Sequence, residues 1–166
     1  IANNTAPDGT TGGGFVGTFT AAGATLTLAN TILAGNSGPQ CFFAPWGSGV
    51  VQLTSLGHNV VTDATCGIPA PDASDRIVAD ALLGPLADNG GPTLTHALQP
   101  GSPALDTADP ARCPAVDQRG MARSQGSACD AGAYEAAAAA RAAGLDGVPQ
   151  SLPEGSTLYF LPLLQH

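Results

Sequence analysis

The stretch from Gly84 to Asp106, GPLADNGGPTLTHALQPGSPALD, carries the residue types of an acid–base site. It holds two acids, Asp88 and Asp106, and one histidine, His96. An imidazole beside a carboxylate can take up and release protons as a general acid–base catalyst. The chain has no G-x-S-x-G turn to present a nucleophile, so acyl transfer lacks its second component. We therefore expect His96 to be a hydrogen-bonded structural residue, and we assign no catalytic residue.

A second group of acids lies near arginines in the motifs PALD, VDQRG and CDAGAYE. Its members are Asp106, Asp117, Arg119, Asp130 and Glu135. Two converging carboxylates could hydrolyse a glycosidic bond, and clustered carboxylates could bind calcium. A buried acid otherwise needs cationic or hydrogen-bonding partners, and arginine suits that task. We favour a structural network that closes one end of the fold, and we predict no metal and no cofactor. A polysaccharide-active site and a calcium site remain alternatives.

Composition excludes several kinds of partner. The formal net charge is -8, there is no lysine, and the five arginines form no basic stripe. Phosphate binding needs clustered cations, so nucleic acid is not an expected partner. No apolar run is long enough for a transmembrane segment. Frequent glycine and proline favour many short strands and turns, so we predict an all-β fold.

A short pattern of an aliphatic residue, a small residue, any residue and asparagine recurs along the chain. It occurs at Ile1–Asn4, Leu33–Asn36, Leu56–Asn59 and Leu86–Asn89. We expect each asparagine to adopt the left-handed backbone conformation of a corner and to hydrogen-bond to its counterpart in the next coil. Strand-like runs with period-two alternation, such as ATLTLANTIL, lie between the corners. The pattern predicts a parallel β-solenoid, with a β-sandwich as the main alternative.

The chain has four cysteines, Cys41, Cys66, Cys113 and Cys129. No pair has the C-x-x-C spacing of a zinc or thioredoxin-like site. An even count without metal spacing indicates disulfides formed in an oxidising compartment. Four cysteines allow three pairings, and buried free thiols are the alternative.

Four longer motifs carry a resemblance to a known family. They are NTILAGNSGPQC, TSLGHNVVTDATCG, LLGPLADNGGPTLTHALQPGSPALD and CPAVDQRGMARSQGSACDAGAYE, in this order. Together they resemble the C-terminal part of secreted bacterial right-handed parallel β-helix proteins of the choice-of-anchor Q domain type. That family is related to polymorphic outer-membrane-type repeat proteins. The resemblance implies a right-handed β-helix with a cap after about Leu82, and it implies no catalytic residues. It also places Leu94, His96 and Leu98 in the last coils, so we expect Leu94 and Leu98 to fill the core. Together with closeness along the chain, it favours the disulfides Cys41–Cys66 and Cys113–Cys129.

The sequence predicts three regions. Residues 1–135 are the last coils and cap of the β-helix, residues 136–150 are an Ala/Gly-rich spacer, and residues 151–166 are an apolar C-terminal segment. The chain begins inside a predicted strand, so we expect further coils upstream of Ile1. The apolar residues assigned to assembly are Leu158, Tyr159, Phe160, Leu161, Leu163 and Leu164. This segment could fold back, add to a neighbour as a strand, or act as an export tag.

These observations favour a non-catalytic, secreted or cell-surface structural protein. A subunit of an extracellular fibre or sheath, or an adhesin-like stalk, fits the low charge, the repeats and the apolar C-terminal segment. Expected partners are other copies of the chain, other cell-surface proteins and, less favoured, glycans. A β-helix polysaccharide lyase or hydrolase and a glycan-binding module are the alternatives. Little aromatic surface, with Trp46 as the one tryptophan, weighs against glycan binding.

Overall fold

The computed structural model describes residues 1–6, 14–18, 25–44, 52–68 and 74–138, and it confirms an all-β fold. Within these ranges the chain forms nine short strands. They are β1 (Phe15–Thr18), β2 (Thr25–Leu28), β3 (Ile32–Leu33), β4 (Cys41–Ala44), β5 (Gln52–Ser55), β6 (Val60–Val61), β7 (Arg76–Ile77), β8 (Leu83–Ala87) and β9 (Thr95–Leu98). A 3₁₀ helix spans Pro110–Arg112.

Parallel pairing dominates the described chain as far as Ile77. Strand β1 pairs with β4, β2 pairs with β5, and β3, β6 and β7 form a three-stranded sheet in that order. An isolated parallel bridge between Ala2 and Ala34 extends that stack past β3. Parallel neighbours cannot be joined by a tight hairpin, so the two strands of each pair are separated by a long stretch of sequence. Each strand therefore belongs to one pass of the chain along the stack and hydrogen-bonds to a strand of a later pass.

The strand register corrects the alignment of the predicted corners. Ile1–Asn4 does stack on Leu33–Asn36, and Asn36 Oδ1 accepts hydrogen bonds from both N and Nδ2 of Asn4 at 2.9 Å. The third occurrence of the pattern, Leu56–Asn59, does not stack on Leu33–Asn36. Instead, Asn59 Oδ1 accepts from the backbone N of Thr31 at 3.0 Å. Its corner therefore stacks on the ANT segment that ends at Thr31. The fourth match, Leu86–Asn89, runs from β8 into an antiparallel hairpin and is not part of the parallel stack.

The left-handed corner residue is also not the predicted one. Positive φ values occur at the third position of the first three matches, at Asn3 (54°), Gly35 (63°) and His58 (61°). The asparagine in the fourth position uses its side chain instead, because its amide can both donate and accept between passes of the chain. The Asn4–Asn36 contact confirms the predicted side-chain hydrogen bonding.

The core has two apolar clusters that share β3 and β6. Successive side chains on a strand point to opposite faces. Ile32 and Val60 accordingly enter one cluster, and Leu33 and Val61 enter the other. Both faces of these strands are buried, which explains why the sequence there is a short apolar run without alternation.

Both expected disulfides are present and account for all four cysteines. Cys41 and Cys66 are buried in the cluster with Leu33, and their Cα atoms are 4.7 Å apart. The Cα atoms of Cys113 and Cys129 are 6.4 Å apart. In that second pair Cys129 is buried, whereas Cys113 is half-buried.

The antiparallel hairpin of β8 and β9 leads into the final part of the described chain. Leu83 lies opposite Leu98, which is buried as expected. The expectation that Leu94 fills the core was wrong, because this residue lies in the loop before β9 and is 54% exposed. In the same loop, Gly91 has a φ of 96°, and a Cβ there would lie 2.7 Å from Arg119 Cα. Glycine therefore allows the loop to rest directly on the segment that carries Arg119.

The predicted domain boundary at residue 135 falls close to the end of the described chain. Ala136 is 1% exposed and belongs to the same cluster as Ile32, so the first spacer residue is part of the core. The rest of the spacer beyond Ala138 and the six apolar residues assigned to assembly lie outside the described residues, as does Trp46.

Candidate functional site

The first candidate pair, His96 with Asp88, has structural partners. Nδ1 of His96 lies 2.7 Å from the carbonyl oxygen of Gly84 on the paired strand β8. A carbonyl oxygen only accepts, so Nδ1 carries the proton in this contact. Asp88 Oδ1 accepts from the backbone N of Gly90 at 3.0 Å and thereby caps its own turn. Both contacts serve the hairpin, which supports a structural role for His96.

Asp117 accepts several hydrogen bonds from the other residues of the second group and from its own turn. Its buried Oδ2 accepts from Arg119 Nε at 2.9 Å, from Arg119 Nη2 at 2.7 Å and from the backbone N of Glu135 at 2.9 Å. Its Oδ1 accepts from the backbone N–H groups of Arg119 and Met121 at 2.8 and 3.0 Å. One carboxylate thus fixes a tight turn and joins it to the chain at Glu135.

These contacts determine the charge state of Asp117. Burial by itself would raise the pKa of the carboxyl, because it disfavours the charged form. The hydrogen bonds from the Glu135 backbone and the Arg119 guanidinium outweigh burial and hold the pKa of Asp117 below its usual range. The group is therefore an ionised acceptor at neutral pH and is poorly suited to donate a proton as a general acid.

Glu135 occupies a similar position around Arg123. Its Oε1 accepts from the backbone N of Gln125 at 3.0 Å, and its Oε2 accepts from the backbone N of Asp130 at 2.9 Å. Arg123 Nη1 lies 3.4 Å from the same Oε2 and donates to the Asp130 carbonyl at 2.8 Å. Arg123 Nη2 donates to the carbonyl of Gly132 at 2.6 Å. Carboxylate and guanidinium together clamp the chain between Arg123 and Glu135.

Asp130 and Asp106 connect this clamp to the preceding segment. Asp130 Oδ1 accepts from the backbone N of Asp106 at 2.8 Å, and its Oδ2 accepts from the backbone N of Ala136 at 2.7 Å. The carboxylate of Asp106 accepts from the backbone N of Ala128 at 3.2 Å. Asp106 therefore enters the network through backbone donors, which was one of the two kinds of partner expected for it.

Arg119 ties the hairpin to the network. Its Nη1 donates to the carbonyl of Asn89 at 3.2 Å, and its Nη2 donates to the carbonyl of Glu135 at 2.6 Å. The guanidinium carbon lies 3.6 Å from the ring centroid of Tyr134, a cation–π arrangement. The fold thus brings all five predicted network residues together. Arg123, which lies between Arg119 and Asp130 in the sequence, is a sixth member.

The network is suited to binding its own backbone. The carboxylates of Asp117, Asp130 and Glu135 all accept hydrogen bonds from backbone N–H groups, and those of Asp117 and Glu135 also pair with arginines. Glycosidases need carboxylates that face a substrate, whereas these face the interior. In the part of the chain that the structure describes, no group of three or more His, Cys, Asp or Glu residues could hold a metal ion.

Sequence reasoning missed a second carboxylate contact, between Asp75 and Asn59. Asp75 Oδ1 accepts from the backbone N and from Nδ2 of Asn59 at 2.8 and 2.9 Å, and its Oδ2 accepts from the Ser55 hydroxyl. Asp75 directly precedes β7, as Asn59 directly precedes β6. The position directly before a stacked strand could therefore have identified Asp75. The four-residue pattern missed it because that pattern required asparagine at this position.

Two long-range contacts fix the segment after β9 onto the parallel stack. Asn30 Oδ1 accepts from the backbone N of Asp109 at 2.7 Å, across 79 residues. Nδ1 of His58 lies 2.6 Å from the carbonyl oxygen of Thr107, across 49 residues. Asn30 and His58 are both left-handed corner residues. No local signal in the sequence links such distant positions, so these contacts could not be predicted.

An apolar cleft opens between the hairpin and the network. We call it the hairpin cleft and define it by Ile32, Leu83, Leu86, Leu94, Leu98 and Tyr134. Its volume is about 140 Å³, and His96 and Gln118 add polar groups to its lining. The deeper residues Ile32 and Leu98 belong to the core, whereas Leu86 is 56% exposed at the surface. The cleft therefore leads from solvent to the apolar core.

Comparison of the chain with protein-family models, curated proteins and solved structures finds no match. A search of the described residues for a helix long and apolar enough to cross a membrane finds none. The contacts described above are thus the basis for any functional assignment.

Proposed function

We propose that residues 1–135 are the last coils and the cap of a right-handed parallel β-helix. The successive parallel pairs of β1 with β4, β2 with β5 and β3 with β6 and β7 support stacked coils. The antiparallel hairpin and the acid–arginine network then form the cap that a solenoid needs at its end. The right-handed sense comes from the resemblance to secreted β-helix proteins of the choice-of-anchor Q domain type.

On this architecture, the protein is a non-catalytic structural component of the cell surface or of the secreted fraction. The observation that carries this proposal is the use of Asp117, Asp130 and Glu135 as acceptors for backbone N–H groups of their own segment. These acids were the sequence candidates for a hydrolase or lyase site, and such a site needs carboxylates that face a substrate. The two disulfides are compatible with an oxidising, extracellular location.

Self-association is the proposed mode of action, in an extracellular fibre, a sheath or an adhesin-like stalk. A head-to-tail contact between copies that does not close on itself produces a filament. The apolar residues between Leu158 and Leu164 supply the surface for this contact, because such a segment is unfavourable in water. Deletion of 157–166 should abolish assembly in electron micrographs. Deletion of 151–156, which keeps the apolar residues, is the matched control and should leave assembly intact.

Incubation of the full-length protein with a panel of acidic and neutral polysaccharides tests the non-catalytic assignment. We expect no new reducing ends and no unsaturated products. Turnover that disappears in folded Asp117→Asn or Asp130→Asn variants would contradict the proposal and support an enzyme. Saturable glycan binding without turnover would instead identify a binding module.

A further inference from the structure

The hairpin cleft is an apolar cavity that the proposed structural role leaves unused. Three leucines of the β8–β9 region, Leu83, Leu86 and Leu94, line it together with Tyr134. Leu86 and Leu94 are 56% and 54% exposed, although both lie beside an open apolar cavity. Exposed apolar side chains around a concave site are typical of a binding groove.

The walls of the cleft are held in place before any ligand arrives. The opposed pair Leu83 and Leu98 fixes the hairpin wall, and a hydrogen bond from His96 to the Gly84 carbonyl supports it. On the other wall, the guanidinium of Arg119 stacks on the Tyr134 ring. Ordering costs on binding are therefore small, which favours a stable complex with an apolar group of matching size.

The volume of the cleft limits the group that it can accept. An apolar cavity of about 150 Å³ holds one benzene molecule. The hairpin cleft, at about 140 Å³, is of that size and would take one aromatic side chain or one branched aliphatic side chain. Its polar groups, from His96 and Gln118, could bind a backbone or a phenol hydroxyl beside it.

The chain itself carries such a group on the segment that follows the described residues. Tyr134 lines the cleft, and Ala136 is buried in the cluster that contains Ile32 and Leu98. The chain therefore leaves the core next to the cleft at Ala138, with residues 139–166 still to come. The connection from Ala138 to Leu158 is about 20 residues long, and a chain of that length can span at most about 70 Å, so the apolar segment can reach the cleft.

We propose that the hairpin cleft is the receptor for the apolar segment Leu158–Leu164, with the ring of Tyr159 or Phe160 in the cavity. This inference deepens the proposed function and rests on it for the role of the segment in assembly. The segment contacts the cleft either of its own chain or of the next copy. Because the segment is tethered to its own chain, binding within one chain dominates in dilute solution. When copies are held close together, the segment of one copy can bind the cleft of the next.

Photo-crosslinking of the full-length protein tests this contact directly. The photoreactive residue p-benzoylphenylalanine replaces Phe160, and the adduct is located by mass spectrometry after proteolysis. We expect adducts in the region of Leu83 to Leu98 or at Tyr134. Adducts spread over other surfaces, or confined to a different one, would overturn the proposal.

Variants of the cleft make the test specific. Leu94→Asp and Leu86→Asp each place a charge at the cleft mouth and remove an apolar contact with the bound segment. Each variant should weaken binding of the segment, and so lower the adduct yield, about tenfold. Ile77→Asp, at a residue on β7 that is 61% exposed and does not line the cleft, is the matched control and should leave the yield unchanged. Circular dichroism verifies that all three variants fold. Unchanged yields in both folded leucine variants would overturn the proposal.

The mobility of the crosslinked product on a denaturing gel separates this inference from the proposed function. A cleft adduct between two chains supports both the receptor site and tail-mediated assembly. A cleft adduct within one chain, under conditions of assembly, supports the receptor site and contradicts tail-mediated assembly. Filaments that form while the adducts lie outside the cleft would support assembly and overturn the receptor site.

Discussion

Asp75 and Asn59 join two neighbouring passes of the chain through a carboxylate that accepts both the backbone N–H and the side-chain amide of the same residue. The two distances are 2.8 and 2.9 Å, and Asn59 is almost fully buried. Asn59 also accepts from Thr31 on the other side. A single amide thus spans three passes, and hydrogen bonds of this kind hold the corners of the stack together.

Asn59→Ala should lower the free energy of unfolding by about 2 to 3 kcal/mol, because it leaves buried hydrogen-bonding groups without partners. In a double-mutant cycle, Asn59→Ala and Asp75→Ala should be coupled by about 1 kcal/mol or more. Urea unfolding of the four proteins gives these values. The control cycle combines Asn59→Ala with Asp88→Ala, an exposed residue of the hairpin, and should be additive. Additivity in the first cycle would mean that the contact does not stabilise the stack.

Asp117→Asn should destabilise the protein by about 3 kcal/mol at neutral pH, because it removes the charged partner of Arg119, whose side chain is only 9% exposed. The pKa of Asp117 is lower in the folded than in the unfolded state. Between those two pKa values the unfolded state binds more protons, so stability rises with pH in that range. The contribution of Asp117 to stability is fully present above the pKa of the unfolded state.

Urea unfolding of wild type and Asp117→Asn between pH 2 and pH 7 measures this contribution. The difference in stability between the two proteins should be constant above about pH 5 and should shrink as the pH falls below the ordinary aspartate range. Asp88→Asn is the matched control, since Asp88 accepts from its own turn at an exposed site. A difference that stays the same down to pH 2 would show that Asp117 does not stabilise the fold as a charged group.

Gly132→Ala should be more destabilising than Gly67→Ala. Both glycines have positive φ values, 88° and 54°, so each substitution carries the cost of a left-handed alanine, about 1 kcal/mol. A Cβ on Gly132 would also lie 2.8 Å from Ile32 Cδ1, whereas a Cβ on Gly67 would meet nothing within 4 Å. Overpacking should add roughly 1 to 3 kcal/mol at Gly132. Equal melting temperatures for the two variants would contradict the close packing of Gly132 on Ile32.

The sequence was most informative where a local rule decides the structure. Proline and glycine usage indicated short strands, and the order of acids and arginines after Ala104 indicated a buried network. The same reasoning failed at the corners, because a four-residue pattern does not specify strand register. Only the pairing of Ile32 with Val60 shows which corners stack, and contacts such as Asn30 with Asp109 depend on the whole fold.

Leu94 illustrates a second limit. The resemblance placed it in the core with Leu98, and its spacing of four residues before Leu98 also fits the alternation of a strand. Alternation does not reveal where a strand begins, and β9 begins only at Thr95. The exposure of Leu94 next to an apolar cleft could therefore be found only from the structure.

The two disulfides should differ in their reactivity towards a dithiol reductant. Cys41 and Cys66 are both buried in an apolar cluster, whereas Cys113 is half-buried, and thiol–disulfide exchange requires access to a sulfur atom. Graded reduction of the native protein, followed by alkylation and mass spectrometry, should label Cys113 and Cys129 first. Earlier labelling of Cys41 and Cys66 would contradict the burial of that pair.

Self-association is the central claim of the proposed function, and the state of the native protein tests it most directly. The measurement is electron microscopy together with sedimentation velocity on full-length protein isolated from the surface or medium of its source cells. We predict elongated or sheet-like polymers that grow with protein concentration. A sample that remains monomeric at every concentration would contradict the claim that the protein is an assembling structural subunit.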